Sequence, residues 1–135
     1  MHYGLPVLAA LFIWWFTTGV IFYLDNLPNK TFKWSMLGST FVLFGAFIAL
    51  QSTANGTDTA SVYIAFTAGL MAWGWQEISL YLGFVTGTRK IRCEAECSGV
   101  RHFWHAIEAN IWHELAIIAV AITIAVLTWN ADNQF

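Results

Sequence analysis

Four long apolar runs constrain this chain more than any other feature: Leu5–Leu24, Trp34–Leu50, Ser61–Val85 and Phe103–Trp129. A helix that crosses the hydrocarbon core of a bilayer needs about 20 mostly apolar residues, and the runs are of that order. Charged residues make up 10% of the 135-residue chain, against about 25% in a soluble domain. The expected fold is therefore all-α, a polytopic transmembrane helical bundle of about four membrane helices. No internal repeat or low-complexity tract divides it, so residues 1–135 form a single domain. Pro6 falls in the first turn of the first span, where a missing N–H is tolerated. The cluster Asp25-Asn26-Leu27-Pro28-Asn29 ends that span, and the polar run Gln51–Thr59 closes the second. The first run has no basic residue before it and no small-x-small cleavage site after it, so it reads as a retained span.

The positive residues sort by loop. Lys30 and Lys33 lie in the first, and Arg89, Lys90, Arg92 and Arg101 lie in the third. The second loop and both tails have none. Four spans place the first and third loops on one side, and the positive-inside rule makes that side cytoplasmic. Both termini and the Gln51–Thr59 loop then face the periplasm. So few basic residues, confined to loops, exclude a nucleic-acid partner, and no soluble substrate is indicated. Trp34, Trp104 and Trp129 suit interfacial anchors. Trp14 and Trp15 sit mid-span and are expected to pack between helices. Small residues four apart, Gly45/Ala49, Ala65/Gly69 and Ala68/Ala72, allow close helix contact in lipid.

The unusual residues gather between Trp73 and Glu114. Glu77 lies about 14 Å from Thr86 along a helix, and His113 and Glu114 about 18 Å from Arg101. Both sets fall in the cytoplasmic half. Ionisable groups in a bilayer face the bundle interior and have partners, so Glu77 is expected to face the fourth helix with His113 or His105 as its partner. The fourth span carries an apolar stripe, Trp104, Ile107, Ile111, Leu115, Ile118 and Ile122. His102, Ala109 and His113 lie opposite, flanked by Asn110 and Glu114 on one side and His105 and Glu108 on the other. Gln76, Glu77, His105, Glu108, Asn110, His113 and Glu114 thus form a candidate structural polar cluster. A metal site from His105, Glu108, His113 and Glu77 would need paired Glu-x-x-His copies, and the chain has one copy in reverse order. His113 four residues after Ala109 leaves room for a tetrapyrrole with His113 as axial ligand, on a weak pattern. A proton relay through Glu77, His113 and Glu114 lacks a second carboxylate-rich helix.

Cys93 and Cys97 fall in the same basic loop. A reducing compartment argues against a disulfide, and Cys-x3-Cys alone is poor evidence for zinc. His102 and His105 are near enough in sequence to complete a ligand set, but a solvated loop with two free thiols is the simpler reading. No metal site is assigned from the sequence. The mixed charge of the loop suits docking of lipid headgroups or a partner. No nucleophile elbow, phosphate loop or zinc-protease motif is present, so nothing argues for an enzyme.

Several runs carry a resemblance across nearly the whole chain. They are Trp14-Trp15-Phe16-Thr17-Thr18-Gly19, Tyr23-Leu24-Asp25-Asn26-Leu27-Pro28 and Thr31-Phe32-Lys33-Trp34-Ser35-Met36. Further on come Trp73-Gly74-Trp75-Gln76-Glu77-Ile78-Ser79, Gly83-Phe84-Val85-Thr86-Gly87-Thr88-Arg89 and His113-Glu114-Leu115-Ala116. In order and spacing these resemble the PuhE-type photosynthetic complex assembly proteins of purple phototrophic bacteria. Members of that family run on past the point where this chain stops, and their cysteine-containing loop is richer in proline than Arg92–Gly99. The resemblance implies a non-catalytic integral membrane protein that assists assembly of, or is an accessory subunit of, the photosynthetic reaction-centre/light-harvesting core complex. It implies reaction-centre and light-harvesting polypeptides and membrane lipid as partners, and the bacterial inner, intracytoplasmic photosynthetic membrane as location. No catalytic residues carry over. The eight Trp and eleven Phe either line a groove for bacteriochlorophyll, carotenoid or partner helices, or serve as lipid-facing bulk, the simpler reading for most. A haem- or chlorophyll-binding subunit ligated by His113 is the alternative.

Overall fold

The computed structural model describes residues 4–133. The two chain termini, expected in the periplasm, lie outside the described residues. Four helices follow one another: α1 (Gly4–Asp25), α2 (Phe32–Thr53), α3 (Thr59–Tyr81) and α4 (Gly99–Leu127), with a 3-10 turn at Asn29–Thr31 before α2. Among the described residues there is no strand. Gly4–Asp25, the Asn29–Thr53 stretch and Gly99–Leu127 are long and apolar enough to cross a membrane.

The remaining helix, α3, is the least lipid-like because it is the one the others surround. It packs on α1, α2 and α4, whereas α1 and α4 do not touch each other. Its polar side chains are turned to protein. Trp75 Nε1–H donates to Thr40 Oγ1 on α2 at 3.0 Å, and Gln76 reaches α4. The core lies between α2 and α3, where Ala46 and Leu50 meet Ala65 and Ala68, and Leu43 and Ala72 are also buried. Methyl side chains at three- and four-residue spacing let the two backbones approach, which increases dispersion contact where lipid supplies no hydrophobic drive. Gly45 stays exposed and Ala49 only borders this core. Hydroxyls that would otherwise meet hydrocarbon bond their own helix. Thr17, Thr18, Thr40, Thr67 and Thr123 each donate to the carbonyl four residues earlier.

Trp14 and Trp15 do not pack as expected; they are 59% and 68% exposed, because α1 meets the bundle along one side only. The third helix also ends before the expected Val85. Gly83 takes φ +76°, and its N–H donates to Leu80 O while Phe84 N–H donates to Ser79 O. This is a Schellman stop, which glycine adopts without a Cβ penalty. At the far end of the bundle Asn133 closes the fold. Its backbone N–H donates to Ala54 O at 2.9 Å and its Nδ2 to Thr53 O at 3.2 Å.

Candidate functional site

The third loop is laid along the first half of α4 rather than left in solvent. Arg89 N–H donates to Glu108 O at 3.1 Å and His113 N–H donates to Thr86 O at 2.9 Å. Thr88 Oγ1 also donates to Glu108 O, at 3.3 Å. Gly87 makes this possible: a Cβ there would stand 2.1 Å from Glu108 O and 2.3 Å from the Ala109 carbonyl carbon. The Arg89 guanidinium lies 3.9 Å from Glu108 Oε2, with the Arg89 side chain 17% exposed. Arg101 pairs with Glu94 at 2.8 Å, both well exposed, so that pair adds little stability. Lys90 Nζ donates to Thr86 Oγ1, and Arg92 is exposed. The basic loop is thus partly neutralised from within. Nothing in the residue types announced Gly87 or Thr86 as the anchor; the lone glycine between two threonines was the available signal.

The polar cluster divides between two faces of α3. Gln76, 1% exposed, points to α4, where its Nε2 donates to Ala116 O at 3.1 Å. Glu77, the next residue and about 100° further round the helix, points the other way. It borders a cavity with Trp14, Thr17, Thr18, Ile21 and Phe22 of α1. The expected contact of Glu77 with His113 or His105 is therefore not made; Gln76 takes the place on α4 assigned to Glu77. His113 is 6% exposed, and its Nδ1 and Gln76 Oε1 are buried without a hydrogen-bond partner. Asn110 and Glu114 are exposed, as is Glu108, whose role is to accept from the loop.

His105 also leaves the polar cluster. Its Nδ1 lies 2.9 Å from Cys93 Sγ and 3.2 Å from Cys97 Sγ. Ligand atoms of Cys93, Cys97 and His102 all fall within 4.8 Å of one another. The tight turn that joins the cysteines closes with Cys97 N–H donating to Glu94 O at 3.0 Å. The hydrogen bond with the Cys93 thiol raises the Cys97 thiol above its ordinary 9.0, since a second thiolate beside the first is disfavoured. The expected solvated loop with two separate thiols is thus replaced by a cysteine pair that His105 touches through Nδ1 and that groups with His102.

Fold and site together define an all-helical protein with membrane-spanning helices and an ordered polar loop at one end. Over residues 1–135 the chain belongs to the family described as Protein of unknown function (DUF3623). It is 30% identical over 135 residues to the "Uncharacterized 30.4 kDa protein in puhA 5′ region" of Rhodobacter capsulatus. The match takes in 97% of this chain and 49% of that protein, so the chain spans about half the relative's length. No solved structure matches the chain.

Proposed function

We propose that this protein is a non-catalytic integral membrane component that assists assembly of, or stands as an accessory subunit in, the photosynthetic reaction-centre/light-harvesting core complex. The observation that carries the reading is the relative in the puhA 5′ region, which agrees with the PuhE-type resemblance across the chain. The architecture supports it. Almost the whole surfaces of α1 and α4 are uncovered and aromatic-rich, with Phe12, Trp15, Phe16, Trp104 and Trp112 exposed, as suits a protein that packs against membrane helices and lipid. In this reading the protein sits in the inner photosynthetic membrane. The loop holding Arg89, Lys90, Arg92 and Arg101 faces the cytoplasm and both termini face the periplasm.

The test is purification of the native protein in mild detergent from photosynthetically grown cells, with an absorption spectrum and identification of the co-purifying chains. Reaction-centre and antenna polypeptides carrying near-infrared bacteriochlorophyll bands are the expected result. A colourless preparation free of those polypeptides, from cells whose core complex also accumulates normally without this protein, overturns it. A Soret band without near-infrared absorption overturns it in favour of haem.

A further inference from the structure

We infer that Cys93, Cys97, His102 and His105 form a structural zinc site that fastens the third loop to the N-terminal end of α4. The assignment begins with the donor set. Two thiolates and two imidazoles are borderline-soft ligands, and a tetrahedral S2N2 set favours Zn(II). Zn–S and Zn–N bonds of about 2.3 Å and about 2.05 Å give tetrahedral S···N edges of about 3.6 Å. The observed separations of His105 Nδ1 from the two sulfurs are 2.9 and 3.2 Å, so outward shifts of about 0.4–0.7 Å reach those edges. His102 brings its ligand atom within 4.8 Å of both sulfurs, against the same edge.

Local structure explains why these four meet. The Glu94–Cys97 turn folds the chain back so that Cys93 and Cys97 lie together. His102 and His105 are three residues apart on α4, hence on one side of its first turns. The Arg101–Glu94 ion pair, 2.8 Å, spans the same junction between loop and helix. Charge also balances: a dication with two thiolates and two neutral imidazoles is net neutral. One imidazole nitrogen in contact with both sulfurs is the arrangement of a ligand set, not of a cysteine pair alone. With four protein ligands the site is closed, so its role is structural, not hydrolytic.

The experiment uses the whole chain in mild detergent with a phosphine reductant. Zinc per chain is measured by elemental mass spectrometry, and protein stripped with a chelator is titrated with Co(II). The expected outcome is one zinc per chain. Co(II) should give intense red ligand-field bands and a thiolate charge-transfer band, both lost when Zn(II) is added. Loss of an outer-shell partner costs roughly 10–100-fold in metal affinity, so Cys93→Ser or His105→Ala should weaken Zn(II) binding by at least the upper end of that range. Glu96→Gln should leave it unchanged. Because the stripped wild-type chain is titrated directly, a variant that fails to fold leaves the answer intact. Three results overturn the assignment: substoichiometric zinc that Co(II) does not replace, a weak octahedral Co(II) spectrum without thiolate bands, or a Cys93–Cys97 disulfide that persists under the reductant.

Discussion

Replacing Gly87 by alanine should detach the third loop from α4. The new methyl carbon would lie 2.1 Å from Glu108 O, 2.3 Å from the Ala109 carbonyl carbon and 2.5 Å from Ala109 O. All three are backbone atoms inside a helix, so no side-chain rotation relieves the clash, and the loop must move instead. Its movement breaks the Arg89 N–H to Glu108 O and His113 N–H to Thr86 O bonds and the Thr88 bond to Glu108 O. A net contribution of about 0.5–1.5 kcal/mol per hydrogen bond puts the loss of the two backbone bonds at about 1–3 kcal/mol once the solvent-facing Thr88 bond is discounted. At about 1.4 kcal/mol per factor of ten, the detached form becomes roughly 5- to 140-fold more populated. Limited trypsin digestion reads this directly, because cleavage after Arg89 follows the open population when reclosing is fast. Gly38→Ala, with nothing within 4 Å of the added carbon, is the control. Cleavage rates after Arg89 that match in wild type and Gly87→Ala would refute the docked loop.

Glu77→Leu should leave thermal stability in detergent unchanged or slightly raised, because Glu77 makes no ion pair with α4; a large loss would restore the Glu77–His113 contact. Gln76→Leu should cost at most about 1 kcal/mol, since the lost bond to Ala116 O is offset by removal of the unpartnered Oε1; an unfolding midpoint far below wild type argues otherwise. Ala68→Leu should destabilise by about 1–3 kcal/mol through overpacking of the α2–α3 contact, read as a lowered melting temperature. Asp58 accepts from Ser61 Oγ and N–H at the start of α3, which holds its carboxyl below the ordinary 3.8. Its contribution is present above that value and lost as pH falls through the lower folded-state value. The gap in stability between wild type and Asp58→Ala should therefore be full at neutral pH and close below about pH 4; a gap that does not change with pH contradicts the cap.

Sequence periodicity and charge made the order of helices, the position of the polar loop and the alanine contact of α3 legible, because each rests on patterns that span many residues. The facing of single residues did not. Gln76 and Glu77 are neighbours, and which of them meets α4 depends on where α1 sits around α3, a tertiary fact absent from the local sequence. The cost of an ionisable group in lipid favoured Glu77 for the contact with α4, yet that position went to the neutral amide, which needs no counter-charge. Gly83 ended α3 although the apolar run continued through Phe84 and Val85, so local backbone chemistry overrode hydropathy. The two cysteines and two histidines were each visible, but their convergence depends on a turn at Glu94–Cys97 and on α4 starting at Gly99.

The fastenings at the two ends of α4 have a mechanical consequence. In its first half the helix is held by the loop at Glu108 and, at its midpoint, His113, and just past its end Asn133 is held at Ala54 and Thr53. The stretch between these anchors works as a gauge cut to the distance between the α3–α4 loop and the α2–α3 turn. Each residue added there lengthens it by about 1.5 Å, enough to pull one anchor out of register within a few residues. The bundle therefore cannot match a thicker or thinner bilayer by sliding α4 against its neighbours. It must tilt as one body, or let the bilayer deform around it, while α1, with no buried side chain, is the helix freest to adjust alone.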